Sequence, residues 1–374
     1  MTKKLIALLC ALVICIGAVG CNSSRQARVS RETRTPPDSE IYIKIVQAYE
    51  AIREVISLSE QDDLLAQVDK LPPGSSISDW YAVVLGRAGI PEDYSGYLAA
   101  LEEYITDCYS REEKLDRIKS TEWQRISLAV TALGGDPTAI GANSEINLIA
   151  DGTYGWTHTN DLGKQGLNGY IFALIAVDSM SYEVPADAAY TREDIIAHIL
   201  SAQEPGGGFG LSRSTGPDID ITAMALQALS PYYNSNTVYE LSDALSGRTS
   251  ATVGECVEAA LEYLSQNQEV SGDFKSWGDP NLESAAQVTI ALCSLGIDPR
   301  TDGRFTKQGN SLYDVMMCFW DTSGGFKHLQ SDTQLDAMAN EQGMLALIAL
   351  YRLEKGLGRL YDFTVPTLPD GDGN

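Results

Sequence analysis

The residues best equipped for chemistry are carboxylates and tryptophans that stand at, or just before, the starts of small apolar segments. Along the chain they are Ser78, Asp79 and Trp80; Glu122, Trp123 and Gln124; Trp156; Asn168; Asp218 and Asp220; Trp277; Glu283 and Ser284; and Asn340 and Glu341. Carboxylates grouped with tryptophan walls suit a sugar, a cationic group or an apolar ligand. Paired carboxylates also cleave glycans, and Glu122 with Asp218, Asp220 or Glu341 supplies the residue types for a pair. Each residue has a plainer reading as well. Asp and Ser are favoured helix caps, acids in a first turn complement the helix dipole, and turn tryptophans staple hairpins together. Only three histidines are present (His158, His198 and His328), and no CxxC or HxxxH pair occurs. No metal site and no cofactor are expected.

Between residues 41 and 361 two kinds of segment alternate. The first is amphipathic: Val257, Ala260, Leu261 and Leu264 share one face, with Glu255, Glu258 and Glu262 on the other. Leu312, Val315, Met316 and Phe319, and likewise Tyr94, Tyr97, Leu98 and Leu101, repeat the helical spacing. The second kind is small and apolar nearly all round, as in "ISLAVTAL" (126–133), "NGYIFALIAV" (168–177), "DITAMALQAL" (220–229), "QVTIALCSL" (287–295) and "GMLALIALY" (343–351). A helix apolar on every side is buried on every side. Alternating half-buried and fully buried helices are what two concentric rings require.

Four of the buried segments follow a glycine–aromatic turn: "DGTYGW" (151–156), "GGGFG" (206–210), "GDFKSWG" (272–278) and "GGFKH" (324–328). Glycine there lets one helix reverse closely onto the next. Six buried helices are predicted, starting near Ser78, Thr121, Gly166, Asp218, Glu283 and Ala339. Their spacing of roughly 45 to 65 residues suits helical hairpins. The fold expected is therefore all-α, an (α/α)6 toroid of six helical hairpins in two concentric rings. Parallel inner helices would gather their N-termini, and the residues named first, around one mouth.

The segments "ILSAQEPGGGFG" (199–210), "DIDITAMALQAL" (218–229) and "YLSQNQEVSGDFKSWG" (263–278) resemble repeats of the terpenoid-cyclase and protein-prenyltransferase toroid superfamily. The resemblance covers most of residues 78–353. It is closest to prenyltransferase-repeat surface proteins of Gram-positive bacteria, and a more distant likeness is to the toroidal domain of cobalamin carriers. It implies a fold and leaves activity open. Asp218-Ile219-Asp220-Ile221-Thr222 is similar to the Asp-x-Asp-Asp-Thr motif of class II terpene cyclases, whose central aspartic acid protonates an alkene or epoxide. Carried over, Asp220 would be the catalytic acid and Asp218 its partner, with Ile221 in place of the third aspartate. A helix N-terminus favours the ionised carboxylate and opposes proton donation. Prenyl transfer, in that family, uses zinc held by an Asp, a Cys and a His near the last repeats. No Asp-x-Cys follows the turn here, and His328 is the sole histidine of the last two repeats. A thioester toroid needs a cysteine that "NEQG" (340–343) lacks.

The N-terminus reads as an export signal: Lys3 and Lys4 precede a 15-residue apolar stretch from Leu5 to Val19. Ala18-Val19-Gly20-Cys21 then resembles the lipobox of bacterial lipoproteins, which implies a signal peptide over 1–21 and a lipid on Cys21. Residues 22–40 read as a flexible tether, 41–361 as the toroid and 362–374 as a disordered tail. Cys108, Cys256, Cys293 and Cys318 either pair or stay as buried thiols. The 374 residues carry 51 Asp and Glu against 27 Lys and Arg, for a net charge of -24. Such a surface repels phosphate backbones, so no nucleic-acid partner is expected. The expectation is an extracytoplasmic protein, anchored to the cell membrane by lipid. Its mouth would bind a small molecule, a glycan or a surface protein without catalysis. The alternative is an enzyme, either a cyclase-like protonating isomerase using Asp220 or a carboxylate-pair glycan enzyme.

Overall fold

The computed structural model describes residues 39–367 apart from 60, 277 and 366. The export signal, Cys21, Trp277 and residues 368–374 lie outside the described residues. Twelve α-helices follow in order: α1 (Glu40–Val55), α2 (Ser76–Ala88), α3 (Ser95–Tyr109), α4 (Thr121–Ala132), α5 (Leu148–Gly152) and α6 (Asn168–Ser179). The second half holds α7 (Arg192–Ser201), α8 (Ile219–Leu229), α9 (Val253–Asn267), α10 (Leu282–Ser294), α11 (Leu312–Met317) and α12 (Ala337–Lys355). A two-stranded antiparallel ribbon, β1 (Val238–Glu240) with β2 (Ser250–Thr252), interrupts the link from α8 to α9.

The even-numbered helices form the inner ring. Each packs on the next, from α2 through α4, α6, α8 and α10 to α12, and α12 packs back on α2. Outside them, α5 packs on α4, α7 on α6, α9 on α8 and α11 on α10, while α1 packs on α12. Four inner helices thus take the outer helix that follows them, α3 joins α2 through the Tyr97 hydroxyl on Asp79, and the first helix of the chain partners the last. The two ends of the helical region seal the ring. This is the expected (α/α)6 toroid, and the inner helices begin within three residues of the predicted starts. Two outer elements are short: α5 has five residues and α11 has six, so Phe319 lies beyond the end of its helix although it is fully buried.

Small residues set the inner-ring spacing. A Cβ on Gly86 of α2 would lie 2.2 Å from the Ala132 carbonyl oxygen of α4, and one on Gly343 of α12 would lie 2.3 Å from the Phe326 ring. Neither position has room for a methyl group. Three of the glycine–aromatic turns share one hydrogen-bond pattern. Glu204 donates its N–H to the Gly208 carbonyl (2.9 Å), Glu269 to Asp273 (2.9 Å) and Asp321 to Gly325 (2.8 Å). The phenylalanines that follow, Phe209, Phe274 and Phe326, are all fully buried.

Beyond α12 the chain turns at Gly356, in the left-handed conformation (φ 66°), and crosses the C-terminal ends of the inner helices. Arg87 of α2 donates to the carbonyls of Arg359 (3.3 Å) and Asp362 (3.0 Å), and Phe363 donates its N–H to the Ser179 carbonyl of α6 (2.8 Å). The Arg87 guanidinium stacks over the Phe363 ring (4.7 Å) and holds the start of the expected tail against the barrel. All four described cysteines are free thiols: Cys108, Cys256 and Cys293 are buried and Cys318 is exposed.

Candidate functional site

The repeated turns show which residues are equivalent from one inner helix to the next. Asp218 donates its N–H to the Phe209 carbonyl (2.9 Å), Asn281 to Phe274 (3.3 Å) and Asp336 to Phe326 (3.2 Å). All three are helix caps. Asp218 Oδ1 accepts from the N–H groups of Asp220 and Ile221, Asn281 Oδ1 from Ser284, and Asp336 Oδ1 from Met338 and Ala339. The second Asp218 oxygen accepts from the Ser276 hydroxyl. Two residues past each cap stand Asp220, Glu283 and Met338. Capping demands nothing of that position; as first-turn acids, Asp220 and Glu283 complement the helix dipole.

The lumen is defined by contacts that cross it. Trp80 of α2 meets Phe172 of α6 with ring centroids 5.8 Å apart, although α4 separates those helices in the ring. Tyr361, from the segment beyond α12, meets Trp80 from below at 6.4 Å. Ile77 and Met338 are 38% and 49% exposed at the starts of otherwise well-buried helices, and Ile221 and Met224 are half-buried. On the wall formed by α8, α10 and α12, a glutamine ladder adds polarity. Gln227 Nε2 donates to Gln287 Oε1 (2.8 Å), and Gln287 Nε2 donates to Gln342 Oε1 (3.2 Å).

Three acids stand on that same wall. Asp220 Oδ1 is buried without a hydrogen-bond partner, and burial pushes the carboxyl up to about 6. Asp218 and Glu283 add to the rise, while the nearby Ser284 and Ser276 hydroxyls ease it without closing a bond of ordinary geometry. Ser284 Oγ is itself buried and unpartnered. Glu283 is raised by burial and drawn back by His328, whose Nδ1 lies 2.8 and 3.0 Å from its two oxygens. Glu341 is 4% exposed, and no donor or cation among the described residues meets its carboxyl. Burial holds it well above the usual carboxylate range, and the charge of Glu283 reinforces the shift.

Other residues expected at the mouth serve the frame instead. Asp79 is fully buried against Arg125 (2.9 Å), the Tyr97 hydroxyl (2.8 Å) and the Gly74 N–H (3.0 Å). Glu122 pairs with the same guanidinium (2.7 Å). Trp123 is fully buried and points outward, donating Nε1–H to the Tyr109 hydroxyl of α3 (2.8 Å). Trp156, 2% exposed, packs edge-on to it at 5.3 Å. Gln124 ties the Gly152 and Gly169 carbonyls together. Asn340 accepts from the Phe326 N–H and donates to the Ala48 carbonyl. Asn168 stays half-buried and accepts from Gln165 (3.3 Å). Phe172, Tyr361, Ile77, Met338, Gln287 and Gln342 were missed in the sequence. The signal for two of them was there: Phe172 stands one helical turn after Asn168, and Met338 occupies the position of Asp220.

Zinc of the prenyl-transfer kind does not fit these residues. Among the described residues no group of three or more His, Cys, Asp and Glu side chains is placed to hold a metal ion. His328, the histidine nearest the acids, is engaged with Glu283 alone.

The chain has the α/α-toroid fold of the protein prenyltransferases. Among solved structures it is similar to Candida albicans protein geranylgeranyltransferase-I complexed with GGPP, with a TM-score of 0.51 and 14% sequence identity. The match covers 83% of this chain and 92% of that one. No protein-family model matches the sequence, and no curated protein matches it. At this identity the likeness defines the fold alone.

Proposed function

We propose that this protein is a non-catalytic, lipid-anchored toroid that binds a small molecule in its lumen. One observation carries the reading: the rings of Trp80, Phe172 and Tyr361 come together from three separate parts of the ring, with the buried acid Glu341 near enough to act on the Tyr361 hydroxyl. Aromatic walls with a few converging polar groups are the composition of a ligand site. The geranylgeranyltransferase neighbour is named with GGPP. The aromatic lumen here suits an apolar body. Its carboxyls oppose a diphosphate, which argues against transfer of that substrate class. Lys3, Lys4, the apolar stretch to Val19 and Cys21 support the reading of a lipid anchor outside the cytoplasm. No helix among the described residues is long and apolar enough to cross a membrane.

Native mass spectrometry of the chain from Asn22 onward, purified from its own host, tests this. A defined extra mass that disappears on Trp80→Ala is expected. A bare protein mass would turn the reading towards a surface-protein partner.

A second reading has its own support. Asp220, with a bare Oδ1 and a carboxyl raised to about 6, has the protonation a general acid needs near neutral pH. An Asp220→Asn variant that abolished turnover of an alkene or epoxide substrate, while the protein stayed folded, would establish it.

A further inference from the structure

Apart from the lumen, a cleft of about 310 Å³ opens over the last turns of the outer helix α9, between the turn that leads into α8 and the turn that leads into α10. Its walls include Asp218, Tyr263, Asn267, Glu269, Lys275 and Ser276. Each is held in place. Asp218 caps α8 and accepts from the Ser276 hydroxyl, which ties the two turns together. The backbone of Glu269 is fixed by the Gly272 N–H (2.8 Å) and the Asp273 carbonyl (2.9 Å), and its carboxylate by the Lys275 ammonium (2.6 Å). Tyr263 donates its hydroxyl to the Pro217 carbonyl (3.3 Å), and a Cβ on Gly208 would lie 2.9 Å from its ring. At the matching position of the next turn stands Asp273, so the turn itself does not demand glycine there. The Tyr263 ring does. A cleft with walls set in advance loses little on binding.

The lining selects its ligand by charge. Glu269 and Lys275 satisfy each other, and both Asp218 oxygens are spent on α8 and Ser276. An anion would face two carboxylates and a cation the ammonium, while a zwitterion would have to break the Lys275–Glu269 pair. What remains is hydrogen-bonding capacity from charged groups, the Asn267 amide and one aromatic ring. We infer that this cleft binds a neutral saccharide, its C–H face against the Tyr263 ring and its hydroxyls on Lys275, Glu269 and Asn267. Sugar hydroxyls both donate and accept, as this lining requires, and polarised C–H groups are drawn to the negative face of an aromatic ring. The cleft and the lumen are separate sites, and either can bind its ligand without the other.

Saturation-transfer NMR on the chain from Asn22 onward tests this, with glucose, galactose, mannose and N-acetylglucosamine as probes at millimolar concentration. At least one sugar is expected to take up saturation, with an affinity that added sodium chloride leaves unchanged. Tyr263→Ala should weaken that binding about tenfold. Lys275→Met should weaken it severalfold; this side chain is 50% exposed, so the variant keeps the fold and carries the test should Tyr263→Ala not fold. Trp80→Ala, in the lumen, should leave sugar binding as it is. Binding of none of the four sugars overturns the inference. Sugar binding that persists at full strength in both cleft variants, or that is lost with Trp80→Ala, overturns it as well. Displacement of the sugar by glycine would assign the cleft to a zwitterion instead.

Discussion

Asp218 Oδ1 accepts hydrogen bonds from the backbone N–H groups of Asp220 (2.9 Å) and Ile221 (3.0 Å), so the first acid of the pair caps the helix on which the second stands. The two aspartates are therefore unequal. Asp218 does what Asn281 and Asp336 do at the same place in the next two repeats. Asp220 has no such duty, and its Oδ1 has no partner. The short motif that looked like a catalytic pair separates into one structural residue and one residue open to ligand or chemistry.

Asp218→Ala should cost about 0.5–2 kcal/mol of stability, the usual range for a lost cap. Asp218→Asn should stay close to wild type, because Asn281 fills the equivalent place at the start of α10. Urea denaturation of both variants checks this. Equal losses would show that the charge of Asp218, rather than its capping oxygen, is what matters.

Asp220 gives a pH signature. Its folded carboxyl titrates near 6 against an ordinary value of 3.8, so the folded state prefers it protonated. That contribution is fully present below about pH 4 and is lost as pH rises through 6. The shift corresponds to about 3 kcal/mol at most. Asp220→Asn should therefore gain stability relative to wild type between pH 4 and 7, approaching that figure. A stability difference that stays flat with pH would mean the carboxyl is better solvated than its burial indicates.

Arg125 neutralises Asp79 and Glu122 together, with its side chain 9% exposed. Arg125→Met should cost about 3–5 kcal/mol, since it strands a buried carboxylate. Adding Asp79→Leu should recover much of that loss. A single variant that melts like wild type would show that water reaches Asp79.

Gly86 and Gly96 form a matched pair. A Cβ at Gly86 meets backbone of the neighbouring inner helix, while one at Gly96, in the first turn of α3, meets nothing within 4 Å. Gly86→Ala should destabilise by about 1–3 kcal/mol through overpacking. Gly96→Ala should be neutral or stabilising by up to about 1 kcal/mol. Thermal melts of the two variants compare them directly, and similar behaviour would refute the tight α2–α4 contact.

The inner ring was legible because burial on all sides leaves a mark along the chain. Segments such as 168–177 and 287–295 carry no charged side chain, and a helix of that kind has no solvent face to present. The outer ring was less legible. Leu312, Val315, Met316 and Phe319 have helical spacing, yet α11 stops at Met317 and Phe319 is buried from the turn that follows. Apolar spacing reports what must be covered and says little about where a helix ends.

The mouth separated along the same line. The residue types by themselves gave Asp218 a cap reading beside the catalytic one, since cap chemistry is settled within three residues of backbone. They also placed the acids near helix starts, because the glycine–aromatic turns precede those starts in the chain. Only the tertiary structure decided which acids have partners and which way the aromatics point. Arg125 reaches from α4 to Asp79 on the adjacent α2, and Trp123 turns outward to Tyr109 of α3. Trp80 finds Phe172 across the lumen, and Glu341 finds no donor. Successive helical residues point about 100° apart. A shift of one or two positions thus moves a side chain from lumen to frame, where its neighbours come from other helices, 14 residues away for Trp123 and Tyr109 and 46 for Arg125 and Asp79. Ring closure brings them together, as it brings α1 to α12, and closure is a property of the assembled ring.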